Sequence, residues 1–432
     1  MNKSKDILLV GFTLFSLFFG AGNLLIPPLL GYQAGEDWFL VTIGFIITAV
    51  IIPIIGIIAH AKLQGTLFDF GKKVSVKFSF VYCVLIYLIA ITIPSPRTAA
   101  ATHEIAMAPL IDINPLFTSA IYFGLVLIFV LNRSAIVSLI GKFLTPVIVS
   151  ILLLVIIIGF FNAELITENT NFETPLITGI LEGYQTFDAI GAVVVGAVII
   201  ISINQRISIE ATSKKKLIIK SGLLAGLGLF VIYAGLIATG AYYGSEIELN
   251  KTLNSDMQRA NLLRYIISSA LGNFGNTMLS VLISLACFTT AVGIVTGASD
   301  YMKGLFKDSQ LAYLITAIFG CVIGIVIGQL DFNSIIIIAV PILLFIYPIT
   351  IVLIFLNVLP EKYATSRIFK SVVLVTFLFT IPDIIGFIKP SETLSHVTYY
   401  IPLADFNLGW VLPALITLMF LMIFETVKTK RS

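Results

Sequence analysis

A chain of 432 residues with 58% hydrophobic and 11% charged side chains cannot clothe itself in polar surface. Soluble domains carry about 25% charged residues. The formal net charge of +3 matters less as a total than by its placement.

The apolar residues come in blocks, many of 18 or more, the length that crosses a hydrocarbon core about 30 Å thick as a helix. Barrel strands alternate apolar and polar over about ten residues, and stretches such as 144–161 and 335–356 do not. The fold class expected is therefore an all-α integral membrane protein. Cys83, Cys287 and Cys321 lie inside apolar blocks, which argues against a disulfide framework or a zinc site. Three histidines without metal-ligand spacing give no catalytic cluster. A G-x-x-x-x-G-K-[ST] loop is absent, so ATP is not expected to act here. The chain does not read as an enzyme. Residues 1–6 are short and polar, with no A-x-A-like site after them, so no cleavable signal peptide is expected.

Twelve spans are expected, at about 7–32, 38–59, 78–96 (with a continuation towards 110), 116–132, 142–161, 184–204, 217–242, 277–298, 311–329, 333–357, 368–388 and 404–426. Segment 256–271 is amphipathic, with Arg259 and Arg264 among Leu262, Leu263, Ile266 and Ile267, and reads as a surface helix between spans seven and eight. With a cytoplasmic N-terminus, 21 of the 26 Lys and Arg fall on the inside and five (Arg97, Lys251, Arg259, Arg264, Lys389) outside. Positive residues mark the cytoplasmic side, and an even span count puts both termini there. Lys214, Lys215 and Lys216 read as a topology determinant rather than a nucleic-acid contact.

Span one carries Phe12, Phe15, Gly20 and Ala21; span six carries Tyr184, Phe187, Gly191 and Ala192. In both, aromatics three apart precede a Gly-Ala pair. Spans one to five (1–162) and six to ten (183–358) then form two halves, followed by two further helices (366–427). Five is odd, so the halves insert with opposite topology, the inverted-repeat plan of many secondary transporters. Within span one, Gly20, Gly22 and Asn23 are followed by Pro27 and Pro28. Gly disfavours helix by about 1 kcal/mol and Pro by about 3, so an unwound stretch is expected there. Such backbone survives at membrane depth only buried in protein or lining a cavity. Amides at a half-helix N-terminus attract an anion, and carbonyls at a C-terminus attract a cation.

The segment FFGAGNLLIPP within 11–31 resembles the opening signature of the branched-chain amino acid:cation symporters, a bacterial inner-membrane family. GYQTFDA at 183–189 resembles that family's second signature, and Pro96-Arg97-Thr98 a third. The resemblance implies sodium- or proton-coupled uptake of leucine, isoleucine and valine across a bacterial plasma membrane, without an obligatory protein partner. It also implies the five-plus-five, LeuT-like fold of the amino acid–polyamine–cation superfamily. There a bundle of spans one, two, six and seven moves against spans three, four, eight and nine.

By the same resemblance, the amides of Ala21 and Gly22 hold the substrate carboxylate, with Asn23 nearby. Ala286-Cys-Phe-Thr289-Thr290 matches a sodium motif. The implied ligands are the Ser16, Phe19 and Ala286 carbonyls and the Thr289 and Thr290 hydroxyls. Ordinary back-bonding of the two threonines to i−4 carbonyls is the alternative. Asp188, placed beside a break at Gly191, fits an ammonium ligand, a cation ligand, a proton carrier or a helix cap; charge inside a membrane helix defaults to function. Phe187 and Ile190 then offer apolar contact to a branched side chain. Arg97 and Glu104, seven apart in outer span three, read as gate charges or a surface pair. His103 reads as interfacial, and Asp331 and Asp383 as loop-solvated. Rival readings are an H+-coupled carrier or exchanger of another neutral amino acid, a non-transporting sensor, and a channel.

Overall fold

The computed structural model describes residues 3–133, 136–162, 167–206, 210–243, 255–389 and 398–431. Among these residues every regular element is helical. Span one is split into α1 (Lys3–Phe18) and α2 (Ala21–Ala34). Span two is α3 (Trp38–Ile46) and α4 (Ile52–Leu63), joined by a π turn. A short α5 (Leu67–Gly71) follows. Span three is α6 (Val76–Thr92) and α7 (Pro94–Ala101), continued by a π turn to Met107. Span four is α8 (Pro115–Leu131), and span five is α9 (Ile136–Leu139) running through a π turn into α10 (Thr145–Asn162). Span six is α11 (Pro175–Tyr184) and α12 (Asp188–Arg206). Then come α13 (Ala211–Tyr242), α14 (Ser255–Leu271), α15 (Gly275–Leu305), α16 (Gln310–Gly328), α17 (Phe332–Val358), α18 (Ser366–Ile388) and α19 (Val411–Arg431).

Each of the twelve expected spans overlaps a helix, the last starting at Val411 rather than at 404. By length and apolarity, eight described stretches suffice to cross a membrane, nine with the bent pair α11–α12 taken as one; α8 and α19 are apolar but shorter. The outer face of α8 shows why they belong in lipid. Phe117, Ile121, Leu125 and Ile128, three or four apart, are all about half-exposed or more, a stripe that water would not tolerate and acyl chains do.

Two packed groups emerge. Helices α1 to α4 pack with α11, α12 and α13, while α6, α7 and α8 pack with α15 and α16. The two groups also meet, through α15 on α12 and α1. Membrane helices associate through close contact rather than through a hydrophobic force between them, and α2 and α13 show how close. A Cβ on Gly31 would sit 1.8 Å from the Ile237 carbonyl oxygen, and one on Gly240 would sit 1.9 Å from that of Pro28. The predicted surface helix α14 buries Leu262, Leu263, Ile266 and Ile267 against α2, α10 and α15. Lys251 lies outside the described residues.

Four expectations need correction. The unwound part of span one is only Phe19 and Gly20; Gly22 and Asn23 sit in the first turn of α2, and Pro27 and Pro28 lie inside it. Packing on α13 holds the helix through its two prolines. Span six begins at Pro175, ahead of the expected 184, because Gly179, Glu182 and Gly183 dilute the apolar signal there. Its break is at Gln185–Phe187, not at Gly191, whose amide donates to the Phe187 carbonyl at 2.8 Å within α12. Asp383 is buried within α18 rather than loop-solvated. Asp331 caps α17, accepting from the Ser334 amide at 2.8 Å.

Candidate substrate and ion site

The two breaks face each other across one cavity. Its wall takes in Gly20 to Asn23 from span one, Thr186 to Asp188 with Ile190 and Gly191 from span six, Arg97 from span three and Thr290 from span eight. Of the expected substrate residues, Ala21, Gly22, Asn23, Phe187, Asp188 and Ile190 all line it.

Asn23 ties the breaks together. Its side-chain carbonyl accepts from the Gly20 amide at 3.1 Å, satisfying a donor freed by the break. Its Nδ2 donates to Asp188 Oδ2 at 2.7 Å and to the Tyr233 hydroxyl oxygen. Asp188 is 3% exposed and opens α12, where the helix dipole favours a negative charge. Phe187 adopts φ +64°, the left-handed region that a bulky residue occupies only under outside constraint. Two such constraints are visible. Arg97 Nη1 donates to the Gln185 carbonyl at 3.0 Å, and the Ala189 amide donates to the Tyr347 hydroxyl oxygen at 3.2 Å.

Arg97 is the largest surprise. Expected at a gate, it is 4% exposed and stands in the cavity wall. Its guanidinium lies 5.7 Å from the Phe187 ring centre. A Cβ on Gly22 would be 3.6 Å from both terminal nitrogens, so the side-chain-free face of Gly22 looks onto the guanidinium. The cause is helix continuation: span three runs on past Pro94 and Pro96 to Met107, placing Arg97 well inside. Glu104 lies in that π turn, outside the cavity lining. His103 bonds the Thr118 hydroxyl at 3.0 Å between spans three and four.

The expected ion ligands also converge. Thr289 Oγ1 donates to the Ser16 carbonyl at 2.8 Å and lies 3.0 Å from the Ala286 carbonyl. The Ser16 hydroxyl donates to Thr289 Oγ1 at 3.1 Å. Thr290 makes the ordinary i−4 back-bond to Ala286, at 3.2 Å. Phe19 directly precedes Gly20, and a Cβ on Gly20 would meet Thr290 Oγ1 at 3.1 Å. The cluster holds hard oxygens only, and no His, Cys, Asp and Glu group of metal-binding kind occurs among the described residues.

Buried ion pairs lie on either side. Arg259 of α14 pairs with Glu182 of α11 at 2.8 Å and donates to the Gln185 side chain at 3.2 Å. Arg133 pairs with Asp300 of α15 at 2.7 Å and donates to Ser202 Oγ at 2.8 Å and the Val198 carbonyl at 3.1 Å on α12. Tyr233 and Tyr347, missed from sequence, had one signal: a tyrosine in an apolar span must find a partner for its hydroxyl.

The profile described as "Branched-chain amino acid transport protein" matches residues 3–428. The chain belongs to that family. Among curated relatives of this branched-chain amino acid transport family, the branched-chain amino acid transport system 2 carrier protein of Pseudomonas aeruginosa is 31% identical, over 99% of this chain and 98% of that one. The branched-chain amino acid permease BraB of Bacillus subtilis is 32% identical, over 95% and 94%. Among solved structures, a Na+-coupled sialic acid symporter in a substrate-bound outward-open state superposes with TM-score 0.60 at 13% identity, over 96% of this chain and 90% of that one. A nucleobase-cation-symport-1 family transporter in a closed conformation also gives 0.60 at 13%, over 98% and 92%. Family and fold make this chain a multi-span membrane transport protein with a LeuT-like architecture, not an enzyme.

Proposed function

We propose that the chain imports leucine, isoleucine and valine across a bacterial plasma membrane, with both termini cytoplasmic, by Na+ symport through alternating access. The observation that carries the substrate reading is a cavity holding one buried cation, Arg97 of span three, and one buried carboxylate, Asp188 of span six, met by the adjacent residues Gly22 and Asn23 of α2. Gly22 faces the guanidinium and Asn23 bonds the carboxylate. A free amino acid carries its opposite charges on atoms joined through a single carbon, so its carboxylate takes Arg97 together with the amides of Ala21 and Gly22. Its ammonium takes Asp188. Ile190, Val194 and Ile294 of the same wall accept a branched aliphatic side chain. The relatives' printed names support this substrate class.

The ion reading rests on the Ser16, Phe19, Ala286, Thr289 and Thr290 oxygens. Oxygen ligands suit a hard cation, and rotation of two hydroxyl protons away from carbonyls they now bond frees the set for Na+. One monovalent cation entering down about 100 mV releases roughly 2.3 kcal/mol. A tenfold gradient adds about 1.4, enough for about 500-fold accumulation of a zwitterion. One observation favours H+ as the second reading: Asp188 is a buried carboxylate in a chain with Asn23 and Tyr233. The second half of the repeat then starts at Pro175, where α11 begins, rather than at 183; 1–162 and 175–358 would supply one broken helix each, with 366–427 outside them.

The test is labelled leucine uptake into proteoliposomes with Na+ and H+ gradients imposed separately, plus binding of leucine, leucinamide and isocaproate. Leucine held at least about 100-fold more tightly than either singly charged analogue is expected, since leaving one member of a buried pair alone costs about 3 kcal/mol or more. In Arg97→Ala the gap between leucine and leucinamide should close. Uptake under a proton gradient alone overturns the sodium assignment, and no uptake under either gradient overturns the substrate.

A further inference from the structure

A second cavity, of about 430 Å³, opens on the outside of the helix pack between spans three, ten and eleven. Phe78 and Val81 of α6, Phe345 and Ile349 of α17, and Leu374 and Phe377 of α18 wall it. The one hydroxyl in the lining, that of Tyr82, donates to Thr350 Oγ1 at 2.9 Å. The ammonium of Lys370, on an exposed residue in the second turn of α18, is thus the only charged group in the lining.

The groove has a direction and a length. It starts at Val74 and Lys370, where α6 and α18 begin, and ends at Leu85 and Phe377. The lining runs from Phe78 to Leu85 on α6 and from Lys370 to Phe377 on α18, eight residues each and about 10 Å at 1.5 Å per residue, most of one leaflet of a core about 30 Å thick. Its mouth lies among segments with an excess of positive charge. Residues 62–77 hold Lys62, Lys72, Lys73 and Lys77 against Asp69, and residues 359–370 hold Lys362, Arg367 and Lys370 against Glu361. Asp69 is 4.0 Å from Lys72. Lys73 stands 5.2 Å over the Phe369 ring, one residue from Lys370, and the Ser366 hydroxyl donates to its carbonyl at 2.6 Å. Burial, then the charge of Lys62, hold the Lys73 ammonium below the ordinary lysine range, with Glu361 opposing. A cationic rim over a deep apolar slot complements one ligand class.

We propose that this groove is a binding site for an anionic phospholipid, one acyl chain lying between α6, α17 and α18 and the phosphate resting at Lys370 and Lys73. The lipid then joins α18 to α6 of span three, the span that carries Arg97. The proposal is independent of which solute the central cavity carries.

The experiment uses the full chain, delipidated in detergent, with dioleoyl phosphatidylglycerol and dioleoyl phosphatidylcholine as probes. Bound lipid is counted by native mass spectrometry and the melting temperature is followed alongside. Phosphatidylglycerol should be retained over phosphatidylcholine by about fivefold per engaged lysine and should raise the melting temperature more. Lys370→Gln should cut that preference about fivefold. Leu374→Trp, which fills the groove, should lose one bound lipid while the protein stays monodisperse. Equal retention of the two lipids, or a preference untouched by Lys370→Gln, overturns the proposal. So does a dimer that Leu374→Trp converts to monomer, which would give the groove to a second copy of the chain.

Discussion

The two broken spans are built on different principles. Span one breaks at Phe19 and Gly20, and the local sequence explains it: glycine leaves the helix at little steric cost, and Asn23, three residues on, caps the Gly20 amide. Span six breaks at Gln185–Phe187 with no glycine in the gap. Phe187 holds φ +64° because Arg97 and Tyr347 engage the peptides on either side of it. One break is capped from within its own span; the other is held by spans three and ten. A span-three residue that holds the span-six break open connects the cavity wall to the parts proposed to move against each other.

The sharpest test of this contrast is the residue that joins the breaks. Asp188→Asn keeps the shape but removes the charge facing Asn23 and the proposed ammonium site. Leucine affinity, read by equilibrium binding, should fall by about two orders of magnitude or more, since orphaning a buried charge costs about 3–5 kcal/mol. Unchanged affinity would reduce Asp188 to a helix cap. Next in size is Thr289→Ala, which touches only the span-one side. Half-saturating Na+ for leucine uptake should rise about tenfold, the worth of one hydrogen-bonding oxygen on a charged partner. Leucine affinity at saturating Na+ should change little; equal losses in both would tie Thr289 to the substrate instead. Smallest is Tyr347→Phe, confined to the span-six side. Deleting the acceptor of the Ala189 amide costs about 1 kcal/mol, so uptake should drop about fivefold with Na+ dependence intact. An altered Na+ dependence would mean the two breaks are coupled more tightly than their separate supports suggest.

Much of the site was legible before any coordinates. Gly20-Ala-Gly-Asn announces a disturbed helix by composition, a charged Asp188 inside an apolar span announces itself by cost, and Ala286, Thr289 and Thr290 lie at i, i+3, i+4. What misled was also local. Gly191 looked like the second break because glycine is the usual sign of one, yet it lies inside α12. Pro27 and Pro28 looked like part of the first break, yet α2 runs through them.

Class and patterning came from the chain alone, because the cost of exposing apolar surface to water, or polar backbone to lipid, is paid residue by residue and shows in composition and period. Helix, apolar length and positive-residue bias are of that kind. The place of Arg97, the left-handed Phe187 and the partnership of Asn23 with Asp188 and Tyr233 are not. Each depends on which helix lies opposite at a given depth, and residues 23, 97, 188 and 233 meet only once the bundle and the scaffold have packed around one cavity.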